Sequence, residues 1–218
     1  MSTTFNRENF NRLPVVGIMR HFPVHYVENI ATQFCNAGLS TLEITMNSEG
    51  AAETIANLVR NYGEKMNIGA GTVCTMHDLE AALKAGAQFI VSPFINEEVI
   101  KTCVSSHIPV FPGAFTPTEI YRAWSLGAEM VKVFPATQVG ASYIREVLAP
   151  LNAIPLMPTG GISVANFTEF FSAGAKAVGI GSNFFPKNII EAAQWDELKN
   201  FYSSFVKKFE DFQSQQKK

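Results

Sequence analysis

Ser125-Leu126-Gly127-Ala128-Glu129-Met130-Val131-Lys132-Val133-Phe134-Pro135 passes from an amphipathic stretch, through a glycine, into an apolar run. That order is how a helix closes on a glycine and hands the chain to a buried strand. Asn36-Ala37-Gly38, Lys84-Ala85-Gly86 and Ser172-Ala173-Gly174 repeat the pattern, so that Gly38, Gly86, Gly127 and Gly174 stand 48, 41 and 47 residues apart. Between them lie four more strand candidates, at about 14–19, 66–72, 108–113 and 153–159, each followed by a helical pattern. Over 51–62, for example, Ile55, Leu58, Val59 and Tyr62 share one helical face. Thr116-Pro117-Thr118-Glu119 is a capping box with proline at the first helical position, and Thr75-Met76-His77-Asp78 is a weaker form of it.

Eight strand–helix units predict a parallel sheet closed as a compact (β/α)8 TIM barrel. We expect a single domain over residues 1–218 with a short N-terminal helix. A doubly wound open sheet is the alternative. It lacks its dinucleotide fingerprint, since Gly17 stands alone after the first strand.

A chain of 218 residues, 47% of them hydrophobic, suffices for one sizeable core. Its 17 basic and 19 acidic residues leave a net charge of −2, which offers no footprint for nucleic acid or an anionic membrane. The expected partner is a small molecule. Residues 1–12 hold no apolar stretch, so neither signal peptide nor membrane anchor is expected, and the expected compartment is the cytoplasm. Cys35, Cys74 and Cys103 are odd in number and widely spaced, against a disulfide framework or a CxxC metal site. From Trp195 to Phe212, Leu198, Phe201, Tyr202, Phe205 and Phe209 fall at helical spacing, as a last helix covering the barrel or as a partner-binding helix. Residues 213–218 are expected to be a frayed tail.

Counting five residues on from each repeat glycine reaches Glu43, Val91, Lys132 and Gly179. Side chains alternate along a strand, so these positions face one side, while Leu42, Ile44, Val131, Val133, Val178 and Ile180 face the helices. In a barrel the first set points inward, which makes Glu43 and Lys132 neighbours across the lumen, with room left at Gly179. A buried ion pair that only fills space is one reading, and an apolar lumen makes it an expensive filler. Imine formation with a ketone or aldehyde is the other, for which the amine must be neutral and the site dry. Burial lowers a lysine pKa and an ionised carboxylate raises it, and the residue pattern does not say which prevails. Pro158-Thr159-Gly160-Gly161-Ile162-Ser163 and Gly179-Ile180-Gly181-Ser182-Asn183 end the last two strands. Paired glycine loops there suit a phosphate held by backbone N–H groups, or serve as plain turns.

Leu42-Glu43-Ile44-Thr45, Gly69-Ala70-Gly71-Thr72-Val73, Ser92-Pro93, Pro112-Gly113, Lys132-Val133-Phe134-Pro135 and Pro158-Thr159-Gly160-Gly161-Ile162 together resemble the 2-dehydro-3-deoxy-phosphogluconate/4-hydroxy-2-oxoglutarate aldolase family. The resemblance spans about residues 8–205. It implies a class I aldolase, a homotrimer without metal or cofactor, cleaving a phosphorylated 2-keto-3-deoxy sugar acid to pyruvate and glyceraldehyde 3-phosphate. Lys132 matches the Schiff-base lysine and Glu43 the general acid/base. Thr72, Pro93, Phe134 and Thr159 match positions around the pyruvate part, and Gly160, Gly161, Gly181 and Ser182 would hold the phosphate.

The chain departs from the phosphogluconate pattern at Asn47, where arginine is usual. Asparagine offers no charged fork to a carboxylate. The phosphogalactonate branch shows a similar Leu-Asn-Ser and an arginine ending the first strand, like Arg20, so Arg20 and Asn47 are the substrate-binding candidates on which the C4 epimer depends. Metal-dependent cleavage is the mechanistic rival. His21, His25, His77 and His107 share no register for it, and His21 with His25 reads as a surface helix. A non-catalytic sugar-acid-phosphate sensor is the rival of another class; its mark would be loss of Glu43 or Lys132, and both are present.

Overall fold

The four repeat glycines all adopt left-handed backbone, with φ between +89° and +102°, each one residue past a helix cap. In this computed structural model, which describes residues 4–216, each hands the chain to a strand as expected. The strands are β1 (Val15–Met19), β2 (Thr41–Thr45), β3 (Asn67–Gly71), β4 (Ile90–Val91), β5 (Val110–Phe111), β6 (Gly113–Ala114), β7 (Val131–Val133), β8 (Leu156–Pro158) and β9 (Val178–Ile180). All pair in parallel. Six form a sheet in the order β5-β4-β3-β2-β1-β9, and β6-β7-β8 form a second.

The strand expected over 108–113 is therefore seen as two pieces, β5 and β6, separated by Pro112. Proline has no N–H to give to a ladder. Its carbonyl still accepts from the Lys132 N–H at 2.9 Å, so the chain stays in place against β7. A single parallel bridge, Thr159 to Gly179, links the end of β8 to β9.

Strand alternation splits the apolar residues into two cores. Leu42, Ile44, Ile68, Ile90, Val131, Val133 and Ile180 face the helices, whereas Val16, Ile18, Phe89, Val91, Phe111, Met130 and Met157 form a separate inner cluster. The chain's own start completes the inner one. Asn6 caps helix Arg7–Arg12, and Phe5 and Phe10 enter the cluster with ring centroids 5.5 Å from Phe89 and 6.1 Å from Phe111. Asn67 fixes this entry by donating from Nδ2 to the Asn6 carbonyl at 3.0 Å.

The helix starts follow their residues closely. Thr116 and Thr75 both make complete reciprocal capping boxes, with Glu119 and Asp78. Helix Ala51–Tyr62 buries Ile55 and Leu58 as its spacing predicts. The C-terminus departs from expectation, because helix Trp195–Gln216 continues through residues 213–216, which were expected to be frayed. Residues 217–218 lie outside the described residues. Nothing in that last stretch breaks a helix, since neither glycine nor proline follows Phe212. Its apolar face is occupied internally, with Tyr202 5.3 Å from Phe34 and Phe205 4.3 Å from Phe167 between ring centroids, so the partner-binding reading loses its surface. Among the described residues no helix is long and apolar enough to cross a membrane.

Candidate active site

Register places Glu43 on β2 between Ile18 and Gly69, and Lys132 on β7 between Gly113 and Met157. Both point into the inner core, where Glu43 is fully buried and Lys132 is 3% exposed. They form no ion pair. Both carboxylate oxygens of Glu43 are buried without a hydrogen-bond partner among the described residues. Desolvation is accordingly the leading influence on each. It pushes the Glu43 carboxyl up and the Lys132 amine down, while the charges of Lys132 and Arg20 pull Glu43 back and that of Glu43 pulls Lys132 back. The directions we stand behind are a Glu43 carboxyl raised above the usual carboxylate range and a Lys132 amine lowered below the usual amine range, both chiefly by burial.

Lys132 opens on a cavity of about 590 Å³, in the range of small-molecule sites. Phe134 forms one wall, its ring centroid 5.1 Å from Lys132 Nζ, where its face favours a cation. Thr159 lies beside it at the end of β8. The space expected at Gly179 is filled by Thr159, because a Cβ on Gly179 would collide with the threonine hydroxyl. Gly160 and Gly161, at φ +104° and +71°, line the cavity together with Gly181 and Ser182. A Cβ at Gly161 would press on Thr137, so the loop keeps its close approach only as glycine.

Arg20 lines the same cavity and donates from Nη2 to Thr72 Oγ1 at 3.4 Å. Thr72 holds that position at φ +55°, an outlier for a β-branched residue.

Residues 7–201 match the aldolase family described as KDPG and KHG aldolase. This chain belongs to that family. It is 33% identical to a 2-dehydro-3-deoxy-phosphogluconate aldolase of Haemophilus influenzae, over 88% of this chain and 90% of the relative. To a 2-dehydro-3-deoxy-6-phosphogalactonate aldolase of Escherichia coli it is also 33% identical, over 80% and 85%. The fold resembles a Legionella pneumophila KDPG aldolase solved with pyruvate captured as a covalent carbinolamine intermediate. There the TM-score is 0.83 at 25% identity, covering 90% of this chain and 96% of that one.

Within this family member, four of the sequence-derived candidates are not among the residues that line the cavity: Glu43, buried in the inner core, Thr72, which meets Arg20, and Asn47 and Pro93 in loops. Asn47 is exposed in the turn beyond β2, and Pro93 sets its carbonyl against Gly113. Local order along the chain could not show this, because both sit past the strand ends, where loop geometry decides direction. His21 is not helical as expected. It adopts φ +56° ahead of helix Val24–Asn36, donates its N–H to Ser48 Oγ at 3.0 Å and lines the cavity.

Sequence reasoning missed Phe22, Tyr26, Lys187 and Glu191, which line the cavity from flanking helices and loops. It also gave no site role to Cys74, whose thiol burial pushes up. No motif marks them. Among the described residues no three His, Cys, Asp or Glu side chains converge as metal ligands.

Proposed function

We propose that this protein is a class I aldolase that cleaves 2-dehydro-3-deoxy-6-phosphogluconate to pyruvate and D-glyceraldehyde 3-phosphate, and also 4-hydroxy-2-oxoglutarate to pyruvate and glyoxylate. One observation carries the reading: a buried lysine opens on a cavity, and a buried carboxyl within its electrostatic reach has no hydrogen-bond partner among the described residues. The neutral Lys132 amine adds to the C2 ketone to give a carbinolamine. Protonated Glu43 donates to the departing hydroxyl, so water leaves and an iminium faces a carboxylate. That new positive charge stabilises ionised Glu43 where burial alone would not. Glu43 then takes the C4 hydroxyl proton, the C3–C4 bond breaks and its electrons pass to the iminium. Protonation of the resulting enamine at C3 and hydrolysis release pyruvate. The iminium is the electron sink, so the reaction as proposed calls for no cofactor.

Around these two groups, Phe134 supplies a dry wall and a favourable ring face for the iminium. Thr159, Thr72 and Arg20 orient the carboxylate end, and Gly160, Gly161, Gly181 and Ser182 face the phosphate. Borohydride reduction with pyruvate tests the reading. The expected product is a reduced pyruvate adduct on Lys132; an unchanged mass, or an adduct on a different lysine, would sink it.

A second reading, the 2-dehydro-3-deoxy-6-phosphogalactonate epimer as substrate, is favoured by Arg20. It is the cavity's charge beside Lys132 and Glu43, while Asn47 stands away. Comparing kcat/KM for the two epimers, with and without Arg20→Ala, decides between them. A larger loss on the galactonate epimer supports this second reading, and equal losses count against it.

Three structural expectations belong with this reading. The strands close as a single-domain (β/α)8 barrel, supported by the Thr159–Gly179 bridge and by the single residue, Pro112, between β5 and β6. The enzyme is a homotrimer, supported by the exposed apolar side chains Phe94, Phe115, Tyr121 and Trp124 around β6 and helix Pro117–Ser125. It works in the cytoplasm, which suits a phosphorylated substrate that a bilayer excludes.

A further inference from the structure

Arg20 acts on both Lys132 and Glu43, and so stands at the reacting end of the cavity. The cavity holds a second lysine, Lys187, carried by a different element, a short helix beyond β9. Lys187 and Glu191 are the first and last residues of helix Lys187–Glu191. Four residues apart, they share one helical face, and both line the cavity. Among the described residues neither is engaged in an ion pair. The same cavity is also lined by Gly160, Gly161, Gly181 and Ser182, which bring backbone and a hydroxyl but no charge. Lysine is a strong partner for phosphate as a compact point charge with three donors, and a nearby carboxylate opposes a dianion.

We propose that Lys187 and Glu191 are a charge-setting pair that fixes the preference for a phosphorylated over an unphosphorylated keto acid, Lys187 holding the phosphate and Glu191 opposing it. This rests on the aldolase reading for the reacting end, while the anion site itself does not require it. Lys187 touches no reacting atom, so its removal raises KM and spares kcat.

Two measurements test the proposal on the full chain. The first compares wild type, Lys187→Gln and Glu191→Gln on 2-dehydro-3-deoxy-6-phosphogluconate and on 4-hydroxy-2-oxoglutarate. Loss of one charge-assisted contact predicts a KM about tenfold higher for the phosphorylated substrate in Lys187→Gln. Glu191→Gln should lower that KM, and the KM for 4-hydroxy-2-oxoglutarate should stay within about twofold in both. The second titrates inorganic phosphate by phosphorus NMR, where Lys187→Gln should weaken binding about tenfold and Glu191→Gln strengthen it. Equal KM changes on both substrates, or phosphate binding that neither variant alters, would overturn the proposal. Phosphate binding that follows the two charges in a protein that cleaves neither substrate would overturn the aldolase reading and leave the charge pair standing.

Discussion

The Glu43 carboxyl occupies the space that a side chain on Gly71 would need, so β3 is cut back to glycine where β2 turns an acid inward. This is how a carboxyl fits inside an apolar core that offers it no hydrogen bond.

Gly71→Ala is the direct consequence. Its Cβ overlaps the Glu43 carboxyl, so the acid must move. Overpacking of this kind costs about 1–3 kcal/mol. Cleavage should fall far more than the pyruvate–borohydride adduct on Lys132, and equal cleavage by variant and wild type would refute the stated role of the overlap.

Glu43→Gln keeps the shape and removes the proton carrier. Cleavage should drop about 10²- to 10⁴-fold, as for loss of a general acid/base, with the adduct still formed at end point. A raised pKa makes the stability linked to Glu43 complete below 4.5 and lost as pH rises through the folded-state value. The variant's advantage in Tm over wild type should therefore grow with pH above 4.5. A pH-independent difference would contradict it.

Lys132→Met should abolish the adduct and raise Tm. The lysine's folded-state pKa is depressed, so its full stability is present above 10.5 and is lost as pH falls through the folded-state value. The variant's gain is then larger at pH 7 than near 10.5, and about 1 kcal/mol of it appears as roughly 2–4 °C in a chain of this size. Thermal melts of both proteins across that interval check the slope.

Tyr202→Phe should stabilise the fold. The hydroxyl is buried with no partner among the described residues, and burial pushes its pKa up. Removing an unsatisfied buried hydroxyl is worth about 1 kcal/mol. A lower Tm would show that the hydroxyl has a partner, such as a bound water.

The order of elements was legible in the residues because it is set locally. Gly38, Gly86, Gly127 and Gly174 end helices in a conformation that other residues enter with strain, and the capping boxes at Thr75 and Thr116 start them. The inward direction of Glu43 and Lys132 was legible for the same reason, since alternation along a strand is a property of the backbone. Register across strands was not. Filling of the Gly179 position by Thr159, and the collision of Gly71 with Glu43, depend on strands that are distant along the chain.

The residues by themselves therefore determined the strand–helix succession, the two inward-facing charged side chains and the family resemblance. Tertiary structure alone decided that Glu43 and Lys132 form no ion pair, and that burial leads the pKa shift of each. It alone brought Arg20, Lys187 and Glu191 to one cavity while leaving Glu43, Asn47, Thr72 and Pro93 out of its lining. The physical reason is that desolvation and loop direction are sums over neighbours supplied by the whole fold, whereas caps and alternation need only a few consecutive residues.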